Sequence, residues 1–222
     1  MMKIKEGKFI TITGIDGAGK STQSSLLSSA LLSRGGLVER VEAKNPFFDD
    51  AVLDLTATEH RSLLWPKGDF PHQKRGTLYY LYLHASWFSL LDKGIISPKI
   101  QDGVSLICDG WTEKWSARAL LRPVVPRSLL SEIICTLRHP DLTFLLDITP
   151  EEVQYRRSKF TQTENGKFDG FDGFVSYQTQ IRSTLLDLAS YYGWTVISAS
   201  DKKPEVVTEE MISMLIDKGF EI

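Results

Sequence analysis

Gly14-Ile15-Asp16-Gly17-Ala18-Gly19-Lys20-Ser21 spells a G-x4-G-K-S loop between an apolar run, Phe9-Ile10-Thr11-Ile12-Thr13, and an amphipathic stretch. Strand, glycine loop, helix is the order in which this pattern works as a phosphate cradle, the P-loop. The glycines let the backbone curl so that successive N–H groups point inward, and the helix that follows adds the positive end of its dipole. Lys20 then reaches the β- and γ-phosphates, and Ser21 offers its hydroxyl to Mg²⁺. Gly14, Gly17, Ala18, Gly19, Lys20 and Ser21 therefore predict a nucleoside-triphosphate site.

Outward from the loop the chain reads as alternating strands and helices. Leu26, Leu27, Ala30 and Leu31 recur at helical spacing up to Gly35-Gly36, a helix stop. Leu37 to Ala43 predicts a second strand closed by Pro46. Phe47 to Leu64 predicts a helix ending near Trp65-Pro66-Lys67-Gly68, and Arg75 to Leu91 a strongly aromatic one. Val104 to Cys108 and Leu142 to Leu146 are dense apolar runs of the buried parallel-strand type, delivering Asp109-Gly110-Trp111 and Asp147 at their carboxyl ends. Thr149-Pro150-Glu151-Glu152 is a helix start, with proline at the first helical position. A polar stretch rich in Arg156, Arg157, Lys159 and Lys167 follows; it reads either as a solvated loop or as a cationic lid over transferring phosphates. A long helix from Phe174 to Tyr192, a strand from Trp194 to Ala199 and a helix from Pro204 to Leu215 complete the pattern.

This alternation predicts a single α/β domain spanning residues 1–222: a three-layer sandwich with a central parallel sheet of about five strands, helices on both faces and a helical lid over residues 156–173. Ligands bind such sheets at the carboxyl ends of the strands, so the phosphate loop and Asp109 are expected to face one crevice. At 222 residues and 42% hydrophobic content the chain can bury a sizeable core. A net charge of −2 with interspersed signs gives no basic stripe, which argues against a nucleic-acid partner. Cys108 and Cys135 lie in apolar segments and read as buried free thiols. No run approaches about 18 apolar residues, and Met1 to Glu6 has no apolar signal core, so the chain reads as cytoplasmic with no membrane partner.

The parts, in this order, resemble the thymidylate kinase family of nucleoside monophosphate kinases. The likeness rests on Lys8 to Gln23 (KFITITGIDGAGKSTQ), on Asp147-Ile148-Thr149-Pro150-Glu151, on Gln180-Ile181-Arg182 through Ala189, and on Val196 to Ser200 followed by Pro204-Glu205-Val206. It implies an ATP- and Mg²⁺-dependent phosphotransferase acting on a small-molecule acceptor such as thymidine monophosphate, and a homodimer. It also implies that Thr22 and Arg182 join the ATP contacts and that Asp109 holds a Mg²⁺-bound water or orients the nucleophile. Asp16 would accept from a sugar hydroxyl or act on the acceptor, and Tyr82 would stack on the base. Because Gly17 is small where some members place an arginine, the resemblance assigns the transition-state cation to the lid, at Arg156, Arg157 or Lys159.

The acceptor side departs from the family. Lys44 stands in its T-R-E-P stretch, Gly110 replaces the arginine of an aspartate-arginine-aromatic triplet ending here in Trp111, and Ser86 replaces the arginine of its aromatic helix. Arg75, His84 and Arg118 are the residues that could compensate. The departures leave two alternatives open: a kinase for an acceptor without its own phosphate (a nucleoside, modified base or small alcohol), or a catalytically degenerate P-loop nucleotide-binding protein.

Overall fold

The structure, a computed structural model, describes residues 6–66, 75–157, 159–167 and 170–220. Expectations for Met1 to Lys5, for Lys67-Gly68 and for residues 158 and 168–169 of the lid fall outside them.

Five parallel strands form one sheet in the order β2-β3-β1-β4-β5: β1 Phe9–Gly14, β2 Val38–Val41, β3 Ser105–Cys108, β4 Leu142–Asp147 and β5 Thr195–Ser198. All six residues of β1 are buried, as befits a central strand covered on both faces. Alternation along β3 sends Leu106 and Cys108 into one apolar core and Ile107 into the other. The first core is built on α1 (Lys20–Ser33), α8 (Phe174–Tyr192) and α9 (Pro204–Asp217), with Leu27, Ile181, Leu185 and Met211 fully buried. The second gathers α2 (Ala51–Leu64), α3 (Thr77–Leu91), α4 (Ser97–Gln101), α5 (Thr112–Leu120) and α6 (Arg127–Thr136). The expected parallel five-stranded α/β architecture is present. Among the described residues no helix is long and apolar enough to cross a membrane.

Boundaries differ where local chemistry decides them. α2 starts at Ala51 rather than Phe47, because the Asp50 carboxylate caps it by accepting from the N–H groups of Val52 and Leu53, each at 2.9 Å. α3 does not stop at Leu91; it runs through one π-helical turn, Asp92–Ile96, into α4. α7 (Pro150–Arg156) starts as expected, with the Thr149 hydroxyl accepting from Glu152 N–H. The lid expected as helical is made of turns in its described residues beyond Arg156, and Gly166 and Gly170 adopt positive φ there, which a right-handed helix cannot accommodate. Cys108 is buried, as expected, but Cys135 is exposed, because α6 presents that side to solvent.

α5 and α6 fill residues 112–136, a stretch in which the sequence announces no element. α5 is keyed to the sheet by Glu113, a buried carboxyl that accepts from the Thr11 hydroxyl at 2.6 Å and from Trp111 N–H at 3.2 Å. Burial pushes its pKa up.

Leu185 on α8 is completely buried against the sheet. Leu185→Ala is expected to destabilise the fold by about 2–5 kcal/mol, read as a lower urea midpoint at unchanged m-value.

Candidate active site

Gly17 and Gly19 set the shape of the phosphate loop. Both have positive φ (82° and 90°), and a Cβ on Gly17 would come within 2.4 Å of Val153. Nothing lies within 4 Å of a Cβ placed on Gly19, which occupies the N-cap of α1 without any side-chain cap. The first N–H groups of α1 thus have no side-chain cap, and they belong to residues that line the cleft, an arrangement suited to a phosphate. Lys20 folds back over the loop and donates to the carbonyls of Ile15 at 2.7 Å and Gly14 at 3.1 Å. Burial, then the neighbouring Lys114 ammonium, bring its pKa down to about 7. Ser21 and Thr22 line the same cleft, as does Thr13, whose buried hydroxyl has no partner. These features fit a bound nucleotide triphosphate.

The cleft measures about 1190 Å³ and runs from the phosphate loop along the carboxyl ends of β2 and β3 to α3 and α5. Asp109, at the end of β3, lines it; Arg40 of β2 donates to Asp109 Oδ2 at 3.3 Å and to Ser24 Oγ at 2.9 Å. Ser21 and Asp109 are the residues that could hold Mg²⁺, and they share this cleft as expected from the sheet. Among the described residues no group of three or more His, Cys, Asp or Glu side chains forms an all-protein metal cage.

Asp16 is a heavily engaged acid of the cleft. Its carboxylate accepts from Lys114 Nζ at 2.6 Å, Arg118 at 2.7 Å and Gln178 Nε2 at 3.0 Å, while Gln178 Oε1 accepts from Asp16 N–H at 3.1 Å. Burial would raise its pKa, but Lys114, Arg118 and Lys20 together hold it well below the usual carboxylate range. Burial also lowers the Lys114 pKa, and Asp16 opposes that shift. Lys114 and Gln178 are functional candidates that the sequence reading passed over. Lys114 and Arg118 lie four residues apart, a spacing that would have marked a cationic helix face.

On the far side an apolar wall is built by Tyr80, Leu81, His84, Trp87 and Phe88 of α3, with Trp115 of α5 opposite. This face differs from the one that the family likeness implies. Tyr82 is 52% exposed and outside the cleft lining; Ser86 also faces away, its hydroxyl donating to Leu83 O. His84 lines the cleft, its Nδ1 bonded to Tyr80 O at 2.8 Å. Trp111 is buried between Phe9 and Phe88 and forms part of the floor, with its indole N–H donated to Arg138 O. Lys44 lies 5.9 Å from the Trp65 ring centroid at the rim. Arg75 is outside the lining and donates to Leu63 O.

The lid cations separate. Arg157 lines the cleft and is held in a two-pronged pair with Glu164 at 2.9 and 3.0 Å, its guanidinium over the Phe160 ring. Arg156 is instead paired with Glu152 along α7, and Arg182 forms a two-pronged pair with Asp147 at 2.6 and 2.8 Å; neither lines the cleft. Lys159 is also outside the lining.

Comparison with known proteins gives a consistent answer. The family model described as thymidylate kinase matches residues 12–211. The chain is 31% identical to the thymidylate kinase of Ruegeria pomeroyi over 188 residues, 84% of this chain and 83% of that one. It is 29% identical to the thymidylate kinase of Prochlorococcus marinus strain AS9601, covering 88% and 89% of the two chains. The 31% match to the Prosthecochloris aestuarii enzyme spans 67% of this chain and 63% of its relative. Among solved structures, thymidylate kinase from Ehrlichia chaffeensis superposes with a TM-score of 0.65 at 22% identity, over 95% of this chain and 99% of the other. That last likeness speaks for the fold.

Lys20 carries the clearest test. Its folded-state pKa of about 7 lies below the ordinary 10.5, so between those values the folded protein binds fewer protons than the unfolded chain. This group's contribution to stability therefore rises as pH climbs from 7 toward 10.5. Lys20→Met is expected to remove that rise from the pH–stability curve of the ligand-free protein and to lower nucleotide-dependent turnover about a thousandfold.

Proposed function

The chain belongs to the thymidylate kinase family, and we propose that it transfers the γ-phosphoryl group of ATP to thymidine monophosphate. The observation that carries this reading is one cleft with the phosphate loop at one end, Lys114 and Arg118 of α5 and the following Arg122 beside it, and an aromatic wall beyond. A flat base fits against rings, and a phosphate ester needs cations to offset its desolvation. Lys114, Arg118 and Arg122 supply charge where Lys44, Gly110 and Ser86 stand in place of the family's arginines. The reading therefore does not require an acceptor without its own phosphate.

Phosphoryl transfer asks for alignment and charge neutralisation rather than covalent chemistry by the protein. The N–H groups from Gly17 to Lys20 cradle the donor phosphates and Lys20 neutralises them. Ser21 and Asp109 would hold Mg²⁺, which when bound neutralises further phosphate charge. Arg157 is the lid cation placed to meet charge developing on the transferring group; Arg156 is directed elsewhere. The homodimer and the cytoplasmic setting implied by the family likeness belong to the same reading.

Release of ADP measured with each nucleoside and nucleoside monophosphate tests it. Thymidine monophosphate is expected to be turned over far faster than thymidine, and the reverse order would overturn the reading. Arg157→Ala is expected to lower kcat about a hundredfold or more with little change in ATP affinity. Arg156→Ala is expected to leave both nearly unchanged.

A further inference from the structure

The cations of α5 have an unusual partner. Lys114 and Arg118 stand one helical turn apart, line the cleft, and keep only 19% and 26% of their side chains exposed. Both close on the carboxylate of Asp16, an acid belonging to the phosphate loop itself. An ammonium beside a guanidinium, both partly withdrawn from water, is a seat matched to a phosphate: a point charge and a planar fork meeting several oxygens. A carboxylate brings a single negative charge to that seat, whereas a phosphate monoester brings nearly two.

Resting on the reading that the acceptor is a nucleoside monophosphate, we propose that Lys114 and Arg118 form the seat of its phosphate and that the Asp16 carboxylate is an internal stand-in displaced when the acceptor binds. Gln178 lets the exchange proceed without stranding Asp16. It is fully buried, accepts from the Asp16 N–H, and donates to Asp16 Oδ2, so the displaced carboxylate keeps a donor and its backbone stays anchored. The same Nε2 also donates to the carbonyl of Glu164 at 2.9 Å, and Glu164 is the residue that holds Arg157. Filling the seat and releasing the lid cation thus bear on one amide. The exchange also sets specificity: a nucleoside offers nothing to replace the carboxylate, so the seat selects monophosphates.

The sign of one substitution separates this arrangement from a role for Asp16 as a ligand to the acceptor's sugar hydroxyl. Calorimetric titration of thymidine monophosphate and of thymidine, without ATP, is carried out on the wild-type protein, Asp16→Asn, Lys114→Ala, Arg118→Lys and the Asp16→Asn/Lys114→Ala double variant, each checked for native near-UV dichroism. Asp16→Asn is expected to tighten thymidine monophosphate binding about three- to tenfold, because the competitor for the seat is gone. Lys114→Ala is expected to weaken it about tenfold or more, and Arg118→Lys, which keeps charge but loses the fork, several-fold. In the double variant the gain from Asp16→Asn is expected to vanish, and thymidine binding is expected to change in none of them. Weaker or unchanged binding in Asp16→Asn, a gain that survives in the double variant, or indifference to both Lys114→Ala and Arg118→Lys overturns the seat. Wild-type protein that binds no thymidine monophosphate overturns the acceptor reading itself, and with it the seat.

Discussion

Like charges crowd the phosphate end of the cleft: Lys114, Arg118 and Lys44 all act on Lys20 to lower its pKa. Unit charges about 4 Å apart in a partly buried site repel by about 4 kcal/mol at an effective dielectric constant near 20. That repulsion is offset because Asp16 sits among the cations and is itself fixed by Gln178. One carboxylate therefore links the loop after β1, the helix after β3 and the long helix after the lid.

A second pair repeats the scheme at the lid. Glu164 neutralises Arg157 and Phe160 covers the guanidinium, while Phe160 in turn stacks on Phe174 at 3.9 Å between ring centroids. Lys114, Arg118 and Arg157 are thus each held by a carboxylate of the same chain. Charges held this way are preorganised, which is the condition under which electrostatic stabilisation is strongest.

Features that rest on local chemistry were legible in the sequence. The phosphate loop, the five strands, the start of α7 at Thr149-Pro150 and the stop of α8 at Gly193 all depend on residues a few positions apart. The working face of α3 was not, because its aromatic and aliphatic residues surround the helix; only packing against α5 selects His84 and Phe88 over Tyr82. α5 escaped notice for a related reason: Arg118 could be named as a candidate but Lys114 could not, because only the fold brings Asp16, about a hundred residues earlier, against both. The roles of Arg156 and Arg182 likewise turn on ion pairs to Glu152 and Asp147 that spacing does not rank against a cleft position.

Glu113 gives α5 a property that its exposed surface would not suggest. With its carboxyl bonded to Thr11 of the central strand and to the Trp111 amide, the helix carrying the cationic row cannot detach without baring a buried acid and two donors. The amides of α5 are accordingly expected to exchange with deuterium only through global unfolding, and those of the turns at residues 162–166 through smaller local openings. The helix that carries Lys114 and Arg118 is thereby tied into the cooperative unit of the central sheet.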